Sequence, residues 1–507
     1  MPVIIDGENL TIEKVVRVAR DGEKIELPQH VLERIARCRA FVEDRIRAGA
    51  IMYGINTGIG ELSEVKLTPE EVEKFQKYLI YSHAAGCGEP VPAEAARAAI
   101  LSRINVLSKG RSGLRPVVVE TLREMLNRGV TPVMCLRGSV GACGDLSPMA
   151  QMALVPMGEG EAFYGGKRMS GMEAMQAAGI PIVRYEARDG LAVINGSNLI
   201  AGMGSLEIHD AWRWLKTSDI AAAMTLEALD SNMMAFDDRL HRARGYPGAV
   251  ESAANIRKIG EGSEILFQKG KKVQDAYSLR STPQVVGAAR DTIRFAKKMF
   301  EIELNGVGDN PIFFPDDKVV LTGANFQGTP LAFGLEFVGT AVTTVSVLSE
   351  RRTNRLMNPH LSVGLPAFLT KGAGMFSGMM LTQYTAGALV CENRVLSHPA
   401  ATGSIPAAAD QEDFVSMGMT TAIKTRQILE NAWPVLAIEF MAAAQGLDFR
   451  RPLKSSPVIQ AVHDVIRKTV THLEEDRPLF DDINRLTAVV KSGEILAAVE
   501  KAAGELL

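Results

Sequence analysis

Apolar residues recur at spacings of three and four along most of the chain, with polar positions between them. This period predicts helices near residues 28–49, 92–109, 116–128, 197–230, 282–305, 328–357, 374–397, 416–446, 456–474 and 484–505. One further helix start is marked locally. Thr68 stands as an N-cap, Pro69 at the first helical position and Glu71 at the third, and an apolar-periodic stretch runs on to about Ser82. The run Val3–Ile5 reads as a short strand. Several helical stretches pass 25 residues, well beyond the average globular helix, and their apolar faces are wider than a coiled-coil seam. Such helices pack on other helices, so the expected fold is mainly α. A mixed N-terminal domain over residues 1–200 is expected to precede a long-helix bundle over 201–507.

Segments rich in Gly, Pro and Asn separate the helices, at 53–64, 84–91, 110–116, 129–148, 156–171, 187–198, 244–249, 305–330, 358–374 and 399–414. Loops on a rigid scaffold are where chemistry usually sits. The composition of the 507 residues narrows what that chemistry acts on. A net charge of −3 leaves no basic footprint for nucleic acid or an anionic membrane, so a small-molecule substrate is expected. Cys38, Cys87, Cys135, Cys143 and Cys391 are odd in number and lack CxxC spacing, which reads as reduced thiols in a cytoplasmic protein. The start Met-Pro-Val-Ile-Ile-Asp-Gly-Glu has no signal-peptide pattern. The best membrane candidate, Trp433 to Leu447, is short and carries Glu439, so a buried helix is expected there. The eight histidines show no HxxxH spacing, and Gly158-Glu159-Gly160 lacks a third glycine, so neither a metal nor a nucleotide is expected.

The loops hold the unusual residues. Residues 138–148 read Gly-Ser-Val-Gly-Ala-Cys-Gly-Asp-Leu-Ser-Pro. Three small residues in a row, Ala142-Cys143-Gly144, let the backbone fold tightly enough for the Gly144 nitrogen to reach the Ala142 carbonyl. Ring closure followed by loss of the Cys143 sulfur would turn the backbone itself into an electrophile, which no ordinary side chain is. Cys143 is not in a Gly-x-Cys-x-Gly elbow, which speaks against a thiol hydrolase. Elsewhere Tyr53 sits on a glycine-rich turn, Ser82-His83 ends a helix, and Asn195-Gly196-Ser197 precedes a long helix. Gln274, Tyr277 and Arg280 fall within seven residues, and Phe326 and Gln411-Glu412-Asp413 lie in later loops. Each has a plainer reading alone. Cys143 can be a buried apolar thiol, Tyr53 and Tyr277 half-buried tyrosines, and His83 a partner of the last helix carbonyls. Arg280 can be a surface ion pair, Glu412 part of a solvated turn and Asn195 an N-cap.

Taken in order and spacing over essentially the whole chain, these segments resemble the histidine and aromatic amino-acid ammonia-lyase family. Members of that family carry the electrophile 4-methylideneimidazol-5-one (MIO). Ser82-His83 and Gln411-Glu412-Asp413 match its histidine branch, whereas the phenylalanine-specific branch has Phe-Leu and a Gln-Asp run at those places. The resemblance implies an aspartase/fumarase-like helix bundle, a homotetramer with active sites shared between subunits, and elimination of ammonia from L-histidine to give trans-urocanate. It implies an MIO formed autocatalytically from Ala142, Cys143 and Gly144, with Asn195 polarising its carbonyl and Tyr277 and Gln274 lining the pocket. Tyr53 would be the base, its pKa lowered by its neighbours, and Arg280 would pair with the substrate carboxylate. His83 and Glu412 would address the imidazole, with Phe326 packing nearby.

Four positions depart from the family pattern. Cys143 replaces serine, so ring formation would release hydrogen sulfide in place of one water. Asn198 stands where glutamine is common, a change expected to enlarge the pocket, and Phe414 stands where the histidine branch has histidine. Residues 326–330, Phe-Gln-Gly-Thr-Pro, look more like the phenylalanine branch. Two alternatives therefore stay open: a tyrosine or phenylalanine ammonia-lyase or 2,3-aminomutase, and a protein of this fold that never forms the ring and acts as an acid/base lyase or binding protein.

Overall fold

The helix start read at Thr68 forms as a reciprocal capping box. The Thr68 hydroxyl accepts the Glu71 N–H at 3.3 Å, the Glu71 carboxylate accepts the Thr68 N–H at 2.8 Å, and the helix Pro69–His83 follows. The computed structural model describes residues 2–507 and is built mainly of such helices. Its longest members are Asn198–Ala228, Thr282–Leu304, Thr329–Met357 and Gly418–Arg450. The run Ile220 to Met224 is buried at every position, so that part of Asn198–Ala228 is covered all round, as a core helix of a bundle is.

Two predicted helices differ. The 374–397 helix begins only at Met380. The preceding turn needs Gly378 at φ +57°, where a Cβ would lie 2.4 Å from the Phe368 carbonyl oxygen. The 484–505 stretch is two helices, Phe480–Ser492 and Glu494–Ala503, parted by Gly493 at φ +92°. Pro247–Gly260 is a helix the period did not reveal, because its buried face is largely Gly248, Ala249, Ser252 and Ala253 and carries little hydropathy contrast.

Strands are short. Val3–Ile4 pairs in parallel with Ile25–Glu26, and Cys87–Pro90 pairs antiparallel with Cys135–Arg137. Thr131–Pro132, Glu161–Tyr164 and Lys167–Ser170 form an antiparallel three-stranded sheet, and Ile312–Phe314 with Val319–Leu321 a hairpin.

The chain forms two compact units. The first takes the chain to His209 together with Ala296–Glu336 and Pro399–Ile423; the second takes Asp210–Phe295, Phe337–His398 and Lys424–Leu507. Most of these boundaries fall inside the four long helices, so no single cut near residue 200 separates the units. Within the first, fully buried Asp309 bridges Arg103 (3.1 Å) and Arg188 (2.8 Å). Within the second, Glu439 is buried against Arg352, Thr225 and Ser349, so the Trp433–Leu447 stretch is part of a core helix, as its charge foretold. Thr329–Met357 is long and apolar enough to cross a membrane, but 67% of its apolar window is buried in the protein, which makes it a core helix too.

Candidate active site

The segment 138–145 is a glycine-shaped turn fixed from several sides. Gly141 and Gly144 adopt φ +77° and +76°, conformations in which a side chain is strained. Gly144 bridges Gly196: the Gly196 N–H donates to the Cys143 carbonyl (3.1 Å) and the Asp145 N–H to the Gly196 carbonyl (2.9 Å). A Cβ on Gly144 would lie 2.1 Å from the Gly196 carbonyl carbon. Asp145, fully buried, accepts the Ser139 hydroxyl (2.9 Å) and the Ile200 N–H (2.8 Å). Burial outweighs those bonds and pushes its carboxyl up to about 6. On the other side the Met417 N–H donates to the Val140 carbonyl at 3.0 Å.

Cys143 opens onto a cavity of about 460 Å³ whose lining includes Tyr53, Glu64, Asn310, Phe326, Gln411 and Glu412. Its Sγ donates to Glu412 Oε1 at 3.1 Å. Burial first, then the neighbouring Glu412 carboxylate, push the thiol well above the usual cysteine range, so the sulfur stays protonated. Tyr53 Oη accepts the Gly60 N–H at 3.0 Å. That bond favours the phenolate, and so does Arg188, but burial is the larger effect and the phenol is raised. This corrects the expectation that its neighbours lower it.

Asn195 caps the end of the helix Asp189–Ile194; it is not the N-cap of the next helix. Its Nδ2 donates to the Asn310 carbonyl at 2.7 Å, while its buried Oδ1 has no partner among the described residues. Asn310 is held in turn, because the 308–311 segment gives backbone carbonyls to Arg103 and Arg188 and its own Oδ1 accepts the Gly323 N–H (2.9 Å). The Ser197 hydroxyl donates to the Phe326 carbonyl at 2.9 Å. Glu412 is set by a two-bond bridge to Ala407 around a turn of three left-handed residues, Ala408, Ala409 and Asp410.

The remaining expected residues are placed elsewhere. His83 turns its Nδ1 to the Leu79 carbonyl (2.8 Å) at the end of its own helix and does not line the cavity. Gln274, Tyr277 and Arg280 belong to the second unit, where they line a separate cavity of about 360 Å³. There the Arg280 guanidinium lies 4.9 Å from the centre of the Tyr277 ring, which is 72% exposed. Asn198 does not shape the cavity as expected: its amide bonds Ser102 (2.9 Å) and Arg103 (3.2 Å) in the buried network. Among the described residues no group of His, Cys, Asp or Glu is arranged to hold a metal ion.

Asn310, Asp309, Arg188 and Arg103 position the site but carried no local motif. The only sequence signal for Asp309 and Asn310 is the Gly308-Asp309-Asn310-Pro311 run in a long loop. The residues around Gly144 fit an internal ring. The turn admits only glycine at 144, and Asn195, next to Gly196 in the chain, leaves a buried polar atom unpaired.

The chain belongs to the aromatic amino acid lyase family, whose profile matches residues 10–468. It is 47% identical over 494 residues, 97% of either chain, to the histidine ammonia-lyase of Caldanaerobacter subterraneus subsp. tengcongensis. The tyrosine aminomutase of Streptomyces globisporus is 36% identical and matches over 100% of both chains with a TM-score of 0.96. The histidine ammonia-lyase of Trypanosoma cruzi, also 36% identical, matches over 100% of this chain and 96% of its own with a TM-score of 0.92. The mainly helical fold class expected from the apolar period is the fold of these proteins.

Proposed function

We propose that the protein eliminates ammonia from L-histidine to give trans-urocanate. The observation that carries this reading is the meeting of Cys143 and Glu412 in one cavity, with Tyr53 and Phe326 on its walls. Full-length relatives near this identity that bear the name histidine ammonia-lyase support it.

The reaction breaks the Cβ–H and Cα–N bonds of the substrate and forms a C=C bond. The proton goes to a base, and the electron pair of the Cα–N bond leaves with the amine. An MIO ring made from Ala142, Cys143 and Gly144 supplies the electrophile that makes the amine a better leaving group. The chain's own groups do the rest. Tyr53 Oη receives the β-proton as phenolate, a form the Gly60 N–H stabilises. Glu412 accepts the imidazole N–H and Phe326 packs against the ring, while His83, which does not line this cavity, would address the ring through its Nε2 once the assembly completes the site. Asn195, whose Nδ2 keeps one N–H beyond its bond to the Asn310 carbonyl, would polarise the ring carbonyl. Arg280 holds the substrate carboxylate in a bidentate pair, with Gln274 and Tyr277 beside it. A homotetramer with shared sites is the assembly in which both sets of residues act on one substrate. The free thiols suit the reducing cytoplasm.

Incubation of the purified chain with L-histidine, L-tyrosine and L-phenylalanine separates the readings. Urocanate and ammonia in equal amounts from histidine are expected. Cinnamate-type products or β-amino acids in their place would overturn the substrate assignment in favour of an aromatic lyase or an aminomutase.

A further inference from the structure

Loss of sulfur from Cys143 needs a base beside its Cα and a proton source for the departing sulfur. Among the described residues Glu412 is the one hydrogen-bond partner of Sγ, at 3.1 Å, and its backbone is fixed by the bridge to Ala407. Cα and Sγ of a cysteine are separated by Cβ alone, so the carboxylate seated on the sulfur is the basic group of the cavity that is tied to this residue.

We propose that Glu412 carries the proton in the release of hydrogen sulfide from Cys143. This rests on the reading that Ala142, Cys143 and Gly144 form the ring. The Gly144 nitrogen bonds to the Ala142 carbonyl carbon, that carbon forms a double bond to the Cys143 nitrogen, and its oxygen leaves as water with the protons of the two nitrogens. Glu412 then takes the Cys143 Cα proton. The electron pair of the C–H bond becomes the Cα=Cβ bond, and the Cβ–S pair leaves on sulfur as hydrosulfide. Hydrosulfide takes the proton from Glu412 and departs as hydrogen sulfide, so the carboxylate is restored and no oxidant or reductant is consumed. The thiol form is required, because a thiolate would have to leave as the sulfide dianion. One carboxylate thus serves two successive purposes, first on the chain's own sulfur and afterwards on the substrate.

The test is intact-mass spectrometry, which does not depend on turnover. The wild-type chain is expected to be lighter than its sequence by one water and one hydrogen sulfide. Glu412→Gln is expected to lose sulfide about 100-fold more slowly or worse, the usual effect of removing a general base, and to keep an alkylatable thiol at Cys143. Glu412→Asp, which keeps the carboxylate, is expected to restore sulfide loss, and equal melting temperatures for the two variants exclude misfolding as the cause. A Glu412→Gln chain as light as wild type would overturn the proposal and leave the ring standing. If Glu412→Gln does not fold, Glu412→Ala takes its place: a retained thiol with sulfide release slowed at least tenfold supports the proposal, and a chain as light as wild type overturns it. A wild-type chain at full sequence mass would remove the ring itself, and the proposal with it.

Discussion

Gly144 and Gly196 meet backbone to backbone, bridged by hydrogen bonds of 3.1 and 2.9 Å, with no space for a Cβ on Gly144. The turn that carries Cys143 is therefore fixed by the loop that carries Asn195, and two segments fifty residues apart in sequence become one surface. Gly144→Ala forces a side chain onto a φ of +76° and into the Gly196 carbonyl. It is expected to lower stability by about 1–3 kcal/mol, from the left-handed strain and the overpacking together, and to leave the chain at full sequence mass. Thermal unfolding and intact mass check both.

Asp309 is buried between two guanidinium groups, and its removal strands both. Asp309→Asn is expected to cost about 3–5 kcal/mol, the usual penalty for breaking a buried ion pair from one side. The urea midpoint should fall with an unchanged slope. Activity should fall as well, because the neighbouring Asn310 carbonyl holds Asn195.

Asp145 gives a pH dependence of known sign. Its folded pKa of about 6 lies above the free value of 3.8, so the native state binds the proton more tightly than the unfolded chain. The stability it contributes is full below pH 3.8 and is lost as pH rises through about 6. That loss is about 2–3 kcal/mol. Asp145→Asn should remove this slope, read as the difference between wild-type and variant denaturation midpoints across that window.

Tyr53 must shed a proton to act as a base, and burial makes that harder than in free tyrosine. Activity should therefore climb with pH above neutrality. Tyr53→Phe is expected to lower kcat by about 100- to 10,000-fold and to abolish the alkaline limb. Stability should fall by only about 1 kcal/mol, for the lost Gly60 bond. Steady-state rates against pH for both proteins decide it.

How much was legible in the sequence follows from the range of the interactions. Thr68 and Glu71 announce a helix because a capping box is complete within four residues, and Pro116–Arg128 is bounded as read because Pro and Gly mark its ends. Cys143, Tyr53, Phe326 and Glu412 were legible as loop residues of unusual type, and the structure gathers them around one cavity. Asn310 was not legible, since its value lies in a bond to Asn195 across 115 residues. The fate of Asn198 was hidden for the same reason: Ser102 and Arg103, which claim its amide, lie on another helix. The raised phenol of Tyr53 depends on burial, which no local motif encodes.

Ring formation at residues 142–144 underlies every chemical role assigned above, and peptide-level mass spectrometry of the segment 138–148 tests it most directly. The expected result is a peptide lighter by one water plus one hydrogen sulfide, with the loss confined to Ala142-Cys143-Gly144 and no alkylatable sulfur at Cys143. An unmodified peptide with a reactive Cys143 thiol, from a preparation that still releases ammonia from histidine, would contradict it.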